Sequence, residues 1–485
     1  DPEAAALVPH SVCTRHAVLA LGFREGKLVV AMADPGNLLV LDDLRIRTGH
    51  ELDVLVATRE DILAAIERLR SMEDTTDLLA EPEAEPDGPV GLEAVDAADR
   101  APIVKAVNRI IMQAVEQRAS DIHVEPEERD VRIRFRIDGV LHEKMRLQKA
   151  HQHGIVSRLK VMGEADIAEK RLPQDGRVTV SVAGSPIDLR ISTLPSAHGE
   201  EVVIRILDRS SSLLGLEDMG FTPAILDRYR TATAKTTGAI LVTGPTGSGK
   251  STTLYATLNE LNDPSRKIIT VEDPIEYRIG GLRQMQVHPA IGLTFAHALR
   301  SILRSDPDVI MVGEIRDRDT ASMGVHAAMT GHLVLATLHT NDAPTAPTRL
   351  TEMGVEPFLV ASAVQAVVAQ RLARRLCPEC AEPYEPTQEL LERIGVPVPE
   401  GKSKRQLKRP VGCRHCANTG YRGRVALAEL MLVTDEIERA VADRAPTETL
   451  AEIARSQGMV PLLEDGLAKA AAGITSLEEV LRVVG

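Results

Sequence analysis

The stretch from residue 241 to residue 258, "LVTGPTGSGKSTTLYATL", decides the fold of this chain. Apolar residues lead into a loop with three glycines, and a lysine, a serine and a helical pattern follow directly. Residues 244–251 fit the spacing G-x-x-x-x-G-K-[ST], with a strand before the motif and a helix after it. An ordinary glycine turn is the alternative, and the complete pattern disfavours it. The stretch therefore predicts an α/β domain that binds a nucleoside triphosphate.

The residue types in this loop follow from the geometry of phosphate binding. Backbone N–H groups can surround a β-phosphate only where side chains do not crowd the loop, which accounts for Gly244, Gly247 and Gly249. Lys250 can reach the β- and γ-phosphates, and Ser251 can ligate Mg²⁺ at the positive end of a helix. We expect ATP and Mg²⁺ as ligands. The other loop residues expected to contact the nucleotide are Pro245, Thr246, Ser248 and Thr252.

Hydrolysis also requires a group that orients and partly deprotonates a water molecule. The apolar strand in "DPDVIMVGEIRD" ends at Gly313 and Glu314, and a carboxylate at the carboxyl end of a strand beside the loop is well placed for this role. The Asp that usually precedes such a Glu is replaced by Gly313, so we expect Ser251 and waters to hold Mg²⁺. Glu272 in "IITVEDPIEY" ends a second strand and is the alternative base or an orienting group.

Two histidines frame a third strand in "TGHLVLATLHTNDA". His339 lies at the carboxyl end, where the ligand crevice of an α/β sheet is found, and we expect it to sense the γ-phosphate. His332 lies at the other end, where a functional and a structural role are equally compatible with the pattern.

The rest of the chain is organised around this domain. Strands ("AILVTG", "KIITVED", "DVIMVGE", "HLVLATLHT") alternate with helices from about residue 231, as in an α/β sheet. Strand alternation in "DVRIRFRIDG" places Arg132, Arg134 and Arg136 on one face, which predicts a cationic sheet face. The predicted segments are an α+β module (1–70), an acidic flexible linker (71–100), a second α+β domain (101–230), the ATPase core (231–376), a cysteine-bearing insertion (377–424) and a mostly helical region (425–485).

Composition excludes several other classes of protein. The chain has no Trp, five Tyr and five Phe, which argues against base-stacking or carbohydrate-binding surfaces. Residues 71–100 hold ten Asp and Glu and one Arg, so most of the net charge of −13 belongs to this segment. No broad basic surface for nucleic acid is implied. No apolar run is long enough to span a membrane and no signal peptide is recognisable, so we expect a cytoplasmic protein.

Four of the five cysteines form two C-x-x-C pairs, "CPEC" and "CRHC". Four thiolates suit tetrahedral Zn²⁺, and no open position remains for catalysis, so the pattern predicts a structural zinc site. Disulfides and a thioredoxin-like motif are the disfavoured alternatives. His415 is expected to be a bystander and Cys13 a buried small residue. The predicted ligands are Cys377, Cys380, Cys413 and Cys416.

The ordered set of motifs resembles the secretion-superfamily ATPases that power type II secretion and type IV pilus assembly, the GspE/PilB group. "GPTGSGKST" is similar to their Walker A motif, "TVEDPIEY" to the aspartate box, "RSDPDVIMVGEIRD" to the atypical Walker B motif and "TGHLVLATLHTNDA" to the histidine box. "ASDIHVEP", "RFRIDG", "RLPQDGR" and "LRISTLPSAHGE" resemble signatures of their second N-terminal domain. The resemblance covers nearly the whole chain and is highly specific as an ordered set.

The resemblance implies a homohexameric ring with a RecA-like core that binds ATP at subunit interfaces. It also implies that the PAS-like second domain provides arginines to a neighbour's phosphates. Matched by motif, these arginines are Arg190 in "DLRISTLP" and Arg205 in "VVIRIL", for which a structural salt bridge remains an equal alternative. Arg300 and Arg304 are weaker candidates.

The first domain resembles the module that docks such ATPases on an inner-membrane platform protein, so membrane contact is expected only through partners. Some relatives bind a cyclic dinucleotide there through "RLG…L" repeats, and residues 1–70 contain no clear copy. The chain starts at Asp1 rather than Met, which leaves open that a preceding piece was removed. The cysteine insertion is typical of extension and secretion motors, whereas retraction motors carry an "AIR"-type motif that residues 425–485 lack.

Three functions compete on these grounds. The leading hypothesis is a cytoplasmic ATPase that drives type IV pilus extension or type II secretion. A motor for DNA uptake or transfer is the second, although a DNA pore would show more basic or stacking surface. The third is a nucleotide-dependent scaffold without appreciable hydrolysis, which the set of Lys250, Ser251, Glu314 and His339 disfavours. The choice between pilus and secretion, the symmetry of the working ring and the docking partner stay open.

Overall fold

The computed structural model describes residues 16–24, 26–63, 65–66, 102–182, 185–208, 215–386 and 407–484, with isolated positions before residue 16. The predicted acidic linker lies outside the described residues, as does the middle of the cysteine insertion. The chain divides into two compact units, Asp1–Asp208 and Arg209–Gly485. Within the described ranges, none of the helices has the length and apolar character needed to cross a bilayer.

The first unit begins with a small three-stranded sheet and one crossing helix. Its elements are β1 (Val18–Arg24), β2 (Lys27–Met32), α1 (Leu38–Thr48) and β3 (Leu52–Val56). β1 and β2 are antiparallel, whereas β2 and β3 are parallel because α1 connects them. Asn37 caps the start of α1 and Gly49, in the left-handed region, ends it.

The second part of this unit is an antiparallel sheet covered by helices. Its elements are α2 (Pro102–Glu116), β4 (Ala119–Pro126), β5 (Asp130–Ile137), β6 (Val140–Gln148), α3 (Gln152–Met162), β7 (Gln174–Val182), β8 (Ser185–Ser196) and β9 (Gly199–Asp208). The strand order is β6-β5-β4-β9-β8-β7. Alternate residues such as Ile133 and Phe135 are fully buried in one apolar core with α2 and α3.

The opposite face of this sheet carries the three arginines of β5, as the alternation predicts. Arg132 pairs with Glu125 and Glu127, and Arg134 also pairs with Glu125. Because carboxylates from β4 and the following turn neutralise these arginines, the prediction of a cationic face is wrong. The face is a network of ion pairs.

The second unit is an α/β domain with a carboxyl-terminal helical part. Its first elements are α4 (Pro223–Thr233), β10 (Gly238–Thr243), α5 (Lys250–Leu261), β11 (Ile268–Glu272), β12 (Arg283–Gln286), α6 (Phe295–Ile302), β13 (Val309–Val312), α7 (Arg318–Met329) and β14 (Leu333–Leu338). Those that follow are α8 (Thr345–Glu352), α9 (Pro357–Ala363), β15 (Val364–Leu376), β16 (Glu382–Tyr384), β17 (Leu407–Arg409) and β18 (Tyr421–Leu432). The last are α10 (Asp435–Ala442), α11 (Thr447–Ser456), α12 (Leu462–Ala471) and α13 (Leu477–Val484).

The main sheet has the strand order β12-β11-β13-β14-β10-β15-β18. All its strands except β18 are parallel, so their carboxyl ends meet at one edge. Both faces are covered: Ile240 and Val242 enter one apolar core, and Leu241 enters the other. This is the arrangement expected of buried parallel strands, and it places the ligand crevice at the carboxyl edge.

Two predicted boundaries differ from the structure. The predicted second N-terminal domain ends at residue 230, but Ile225 and Tyr229 pack in a core with Leu254 and Leu258 of the ATPase unit. The region 425–485, predicted as mostly helical, begins inside β18, which pairs antiparallel with β15. Its apolar run "VALAELML" is buried on both faces, and such a run does not by itself distinguish a strand from a helix.

Candidate functional site

The glycine loop connects β10 to α5 at the carboxyl edge of the main sheet. Gly244, Gly247 and Gly249 have φ values of 145°, 78° and 88°, a region that other residues rarely adopt. A Cβ atom at Gly244 would also lie 2.5 Å from the backbone oxygen of Gln370. Because α5 begins at Lys250, directly after the loop, the N–H groups of its first turn lack intrahelical acceptors and are available to a phosphate.

Lys250 lies inside this loop. Its Nζ donates hydrogen bonds to the carbonyl oxygens of Gly244 and Pro245, both at 2.9 Å. Burial lowers the pKa of this lysine to about 8, although the charge of Glu314 acts in the opposite direction. Ser248 Oγ is buried and has no hydrogen-bond partner among the described residues. A cation bound to two carbonyl groups, beside a hydroxyl without a partner in the described part of the chain, fits a phosphate ligand.

Of the remaining loop residues, Pro245, Thr246 and Ser251 are exposed and Thr252 is half-buried. The hydroxyl of Ser251, in the first turn of α5, is thus accessible to a metal ion bound with a nucleotide.

Glu314 follows β13 at the same edge of the sheet. One of its carboxylate oxygens lies 2.6 Å from Arg316 Nε and 3.7 Å from His339 Nε2. The preceding Gly313 has little space for a side chain, since a Cβ atom would lie 3.2 Å from the carbonyl oxygen of Val271. The crowding gives a physical reason for the missing aspartate at that position.

Glu272 ends β11, the neighbour of β13, but its surroundings are different. It is only 4% exposed and accepts hydrogen bonds from the hydroxyls of Tyr255 and Thr270. Gln284 Nε2 donates a further bond at 3.2 Å. Burial and the neighbouring Glu272 raise the pKa of Tyr255, so the phenol stays a proton donor. The carboxylate is therefore part of a closed network.

The two histidines lie at opposite ends of β14. His339 directly follows the strand, is half exposed and contacts Glu314. His332 precedes the strand, and its Nδ1 lies 3.0 Å from the carbonyl oxygen of Ala327. The structure thus brings His339, and not His332, to the edge that carries the glycine loop.

The candidate arginines lie on other elements. Arg190 on β8 and Arg205 on β9 are direct cross-strand neighbours. Arg205 Nε donates to Asp121 Oδ1 at 3.1 Å while its side chain stays 58% exposed. Arg300 and Arg304 are exposed and precede β13 at the amino edge of the main sheet.

The four predicted zinc ligands converge between β15 and β18. The sulfur atoms of Cys377 and Cys413, of Cys380 and Cys416, and of Cys413 and Cys416 are each 3.8 Å apart. A tetrahedron with metal–sulfur bonds of about 2.3 Å has edges of about 3.8 Å, so the spacing fits Zn²⁺.

The four thiols differ in their surroundings: burial raises the pKa of Cys377 and Cys380, whereas Cys416 accepts hydrogen bonds from backbone N–H groups. Burial raises the pKa of Cys416, but backbone N–H groups of Cys413 and Gly420 outweigh it and bring the pKa to about 7. His415 is exposed and contacts Arg422 instead of joining the cluster. Cys13 is buried, as expected.

Three residues near the loop escaped the sequence reasoning. Gln370 and Arg371 lie on β15, and Arg371 donates to the carbonyl and side-chain oxygens of Asn341. Arg316 contacts Glu314. The available signal was a polar pair inside the apolar run "AVVAQRLA", because a buried strand keeps a polar side chain only when it is hydrogen-bonded.

Two family profiles match the chain. The profile described as "Type II/IV secretion system protein" matches residues 96–482, and the profile described as "MshEN domain" matches residues 1–76. These matches and the observed sheets confirm the predicted fold class, an α/β P-loop domain preceded by two α+β domains.

Curated relatives match over most of this chain. The type IV pilus assembly ATPase PilB of Myxococcus xanthus is 46% identical over 99% of this chain and 86% of its own length. The PilB of Thermus thermophilus is also 46% identical over 99% of this chain, which spans only 54% of that relative. The type II secretion system ATPase E of Vibrio cholerae is 48% identical over 81% of this chain and 78% of its own length.

Solved structures share the fold at lower identity. The Legionella pneumophila ATPase DotB covers 82% of this chain and 97% of its own, with a TM-score of 0.56 and 21% identity. The pilus retraction motor PilT with bound ADP covers 77% and 95%, with a TM-score of 0.50 and 24% identity. At these identities the likeness concerns the fold alone.

Proposed function

This chain belongs to the family of type II/IV secretion system proteins, which includes pilus assembly and type II secretion ATPases, and from this premise we propose that it hydrolyses ATP to drive type IV pilus extension or type II protein secretion. The observation that carries the proposal is the common edge of the sheet, where the loop of Lys250 meets Glu314 and His339. A scaffold that only binds nucleotide has no need for the last two groups.

The loop residues would bind the triphosphate. On binding, phosphate oxygens replace the carbonyl groups that Lys250 now contacts, and the N–H groups at the start of α5 donate to them. Ser251 and waters would hold Mg²⁺, which supplies positive charge next to the β- and γ-phosphates.

Glu314 is the proposed general base. Its carboxylate would orient the attacking water and accept its proton, and Arg316 holds that carboxylate in place. His339, 3.7 Å from the same oxygen, would donate to the γ-phosphate and report its presence to Glu314. Glu272 already accepts hydrogen bonds from two hydroxyls, so we assign it the second of its predicted roles, orienting groups near the metal.

The working form would be a homohexameric ring in which Arg190 and Arg205 contact a neighbour's phosphates. Their position side by side on adjacent strands, with Arg205 exposed, supports this role. Hydrolysis would release these contacts and rotate the domains, and the rotation would act on an inner-membrane platform protein. Residues 1–70 would dock the motor there from the cytoplasm.

Zinc would have a structural role at the four cysteines. Each sulfur would be a thiolate that closes the connection between β15 and β18 without an apolar core of its own. Metal analysis should find about one zinc per chain, and Cys413→Ser should release it.

The proposal is tested by ATP turnover of assembled protein with Mg²⁺. Lys250→Ala should abolish both nucleotide binding and turnover, while the fold is checked by circular dichroism. Unchanged ATP binding in this variant would refute the proposal. Deletion of the gene, scored for surface pili and for secreted proteins, would separate the two machines.

A further inference from the structure

Gln370 is a buried polar residue that none of the motifs includes. It lies on β15, one residue beyond the position where that strand pairs with Thr243 of β10, and it is 0% exposed. Its neighbours along the strand, Val367, Val368 and Ala369, are all buried in apolar surroundings. An amide in such a place is costly unless its N–H and C=O groups are both hydrogen-bonded.

Both ends of this amide are bonded to the phosphate-binding segment. Nε2 donates to the carbonyl oxygen of Ser248 at 2.8 Å, and Oε1 accepts from Thr253 Oγ1 at 2.8 Å. One side chain therefore joins the loop to the first turn of α5, and a third element, β15, provides it.

The same residue also packs closely against the loop. Its backbone oxygen lies 2.5 Å from the position of a Cβ at Gly244, and its Nε2 lies 3.0 Å from that position at Gly249. Contact with the backbone of Gln370 therefore requires a glycine at position 244 in addition to its φ value, and Gly249 is in tight contact with the amide. β15 therefore packs directly against the glycine loop.

We propose that Gln370 is a positioning residue that holds the loop in its phosphate-binding shape before the nucleotide arrives. The inference rests on the proposed function only in that the loop of Lys250 binds ATP. A loop that keeps this shape without a ligand loses little conformational freedom on binding, so the fixed shape raises affinity. Without the amide, the Ser248 carbonyl and the Thr253 hydroxyl lose their partner and the loop backbone can turn.

The expected signature separates binding from chemistry. The loop is expected to bind the α- and β-phosphates, which ATP and ADP share, whereas Glu314 and His339 act at the reacting γ-phosphate. Loss of the Gln370 amide should therefore weaken ATP and ADP binding alike, by about tenfold, the equivalent of a lost hydrogen bond with its partners left unpaired. The turnover number at saturating ATP should change by less than about threefold.

Gln370→Met is the first test, because methionine keeps the length of the side chain and removes both hydrogen bonds. The matched control is Gln365→Met, at the other end of β15, where the glutamine accepts a bond from Lys235. Titrations with ATP and with ADP should show about tenfold weaker binding for the first variant and unchanged binding for the control. Equal affinities of the two variants and the wild type would overturn the inference.

A second pair of variants covers the outcome that Gln370→Met fails to fold. Thr253→Val removes the hydroxyl that Oε1 accepts from, and Thr253→Ser keeps it. Thr253→Ser should bind ATP and ADP like the wild type, and Thr253→Val should bind both several-fold more weakly. Equal affinities of these two variants would again overturn the inference. Turnover keeps the two proposals apart: if the wild type binds ATP but does not hydrolyse it, the proposed function has failed and not the role of Gln370.

Discussion

Two carboxylates lie at the carboxyl ends of neighbouring parallel strands of the main sheet, and the sequence predicts Glu314 as the base and Glu272 as the alternative. Glu314 follows β13 and contacts Arg316 and His339, both of which are exposed. Glu272 ends β11 and is enclosed by donors, chief among them the hydroxyl of Tyr255. A carboxylate that is 4% exposed and already accepts three hydrogen bonds is poorly accessible to an attacking water molecule. The environment, rather than the strand-end position, distinguishes a base from an orienting group.

The largest effect should come from exchanging each carboxylate for its amide. Glu314→Gln removes the proposed proton acceptor and should lower the turnover number by about 100-fold or more. Glu272→Gln should lower it by less than about tenfold, since it disturbs only the surrounding network. Steady-state ATP turnover at saturating substrate measures both. A larger loss in Glu272→Gln than in Glu314→Gln would reverse the assignment of the base.

The free energy of unfolding should be more sensitive to changes at Glu272 than at Glu314, the opposite of the order expected for turnover. Glu272→Ala leaves the Tyr255 and Thr270 hydroxyls and one N–H of the Gln284 amide without their acceptor and should reduce the free energy of unfolding by about 2–3 kcal/mol. Glu314→Ala removes a partly exposed group whose partners can turn to water, and should cost less than about 1 kcal/mol. Urea unfolding of the nucleotide-free protein measures both. Equal losses would mean that the pocket around Glu272 is not closed.

Exchange of the two histidines should have a smaller effect on turnover and tests the surroundings of Glu314. His339→Gln removes the group next to Glu314 and should lower the turnover number about tenfold. The matched control is His332→Gln at the opposite end of β14, which should change turnover by less than about twofold. If the control loses as much as His339→Gln, both histidines act through the stability of β14 and the sensor role of His339 is refuted.

The sequence predicted what contiguous motifs encode. The glycine loop and each C-x-x-C pair are short motifs whose internal spacing is recognisable in the sequence alone. Gln370 and Tyr255 could not be found in this way, because each acts through contacts with segments far away along the chain. The difference between Glu314 and Glu272 has the same origin. Likewise the region 425–485, predicted as mostly helical, begins with part of β18, because that apolar run forms a strand by pairing with β15.

The smallest predicted effect is a pH dependence of ATP binding, which arises from Lys250 and its interaction with Glu314. Burial lowers the pKa of this lysine to about 8, and the charge of Glu314 partly opposes the shift. In the nucleotide-free protein, Lys250 is therefore protonated well below pH 8 and loses its proton well above pH 8. Bound phosphates favour its protonated form. ATP binding should then take up a proton above pH 8, and the dissociation constant should rise about fivefold between pH 8 and pH 9.

The two carboxylates should affect this proton uptake differently. Glu314→Gln removes a charge that stabilises protonated Lys250, so the midpoint of the proton uptake should move to lower pH. Glu272→Gln should leave the midpoint in place, because Glu272 does not contribute to the pKa of that lysine. Calorimetric titrations with ATP in two buffers of different ionisation enthalpy measure the uptake at each pH. An identical midpoint in the wild type and in Glu314→Gln would mean that the two groups are too far apart to act on one phosphate.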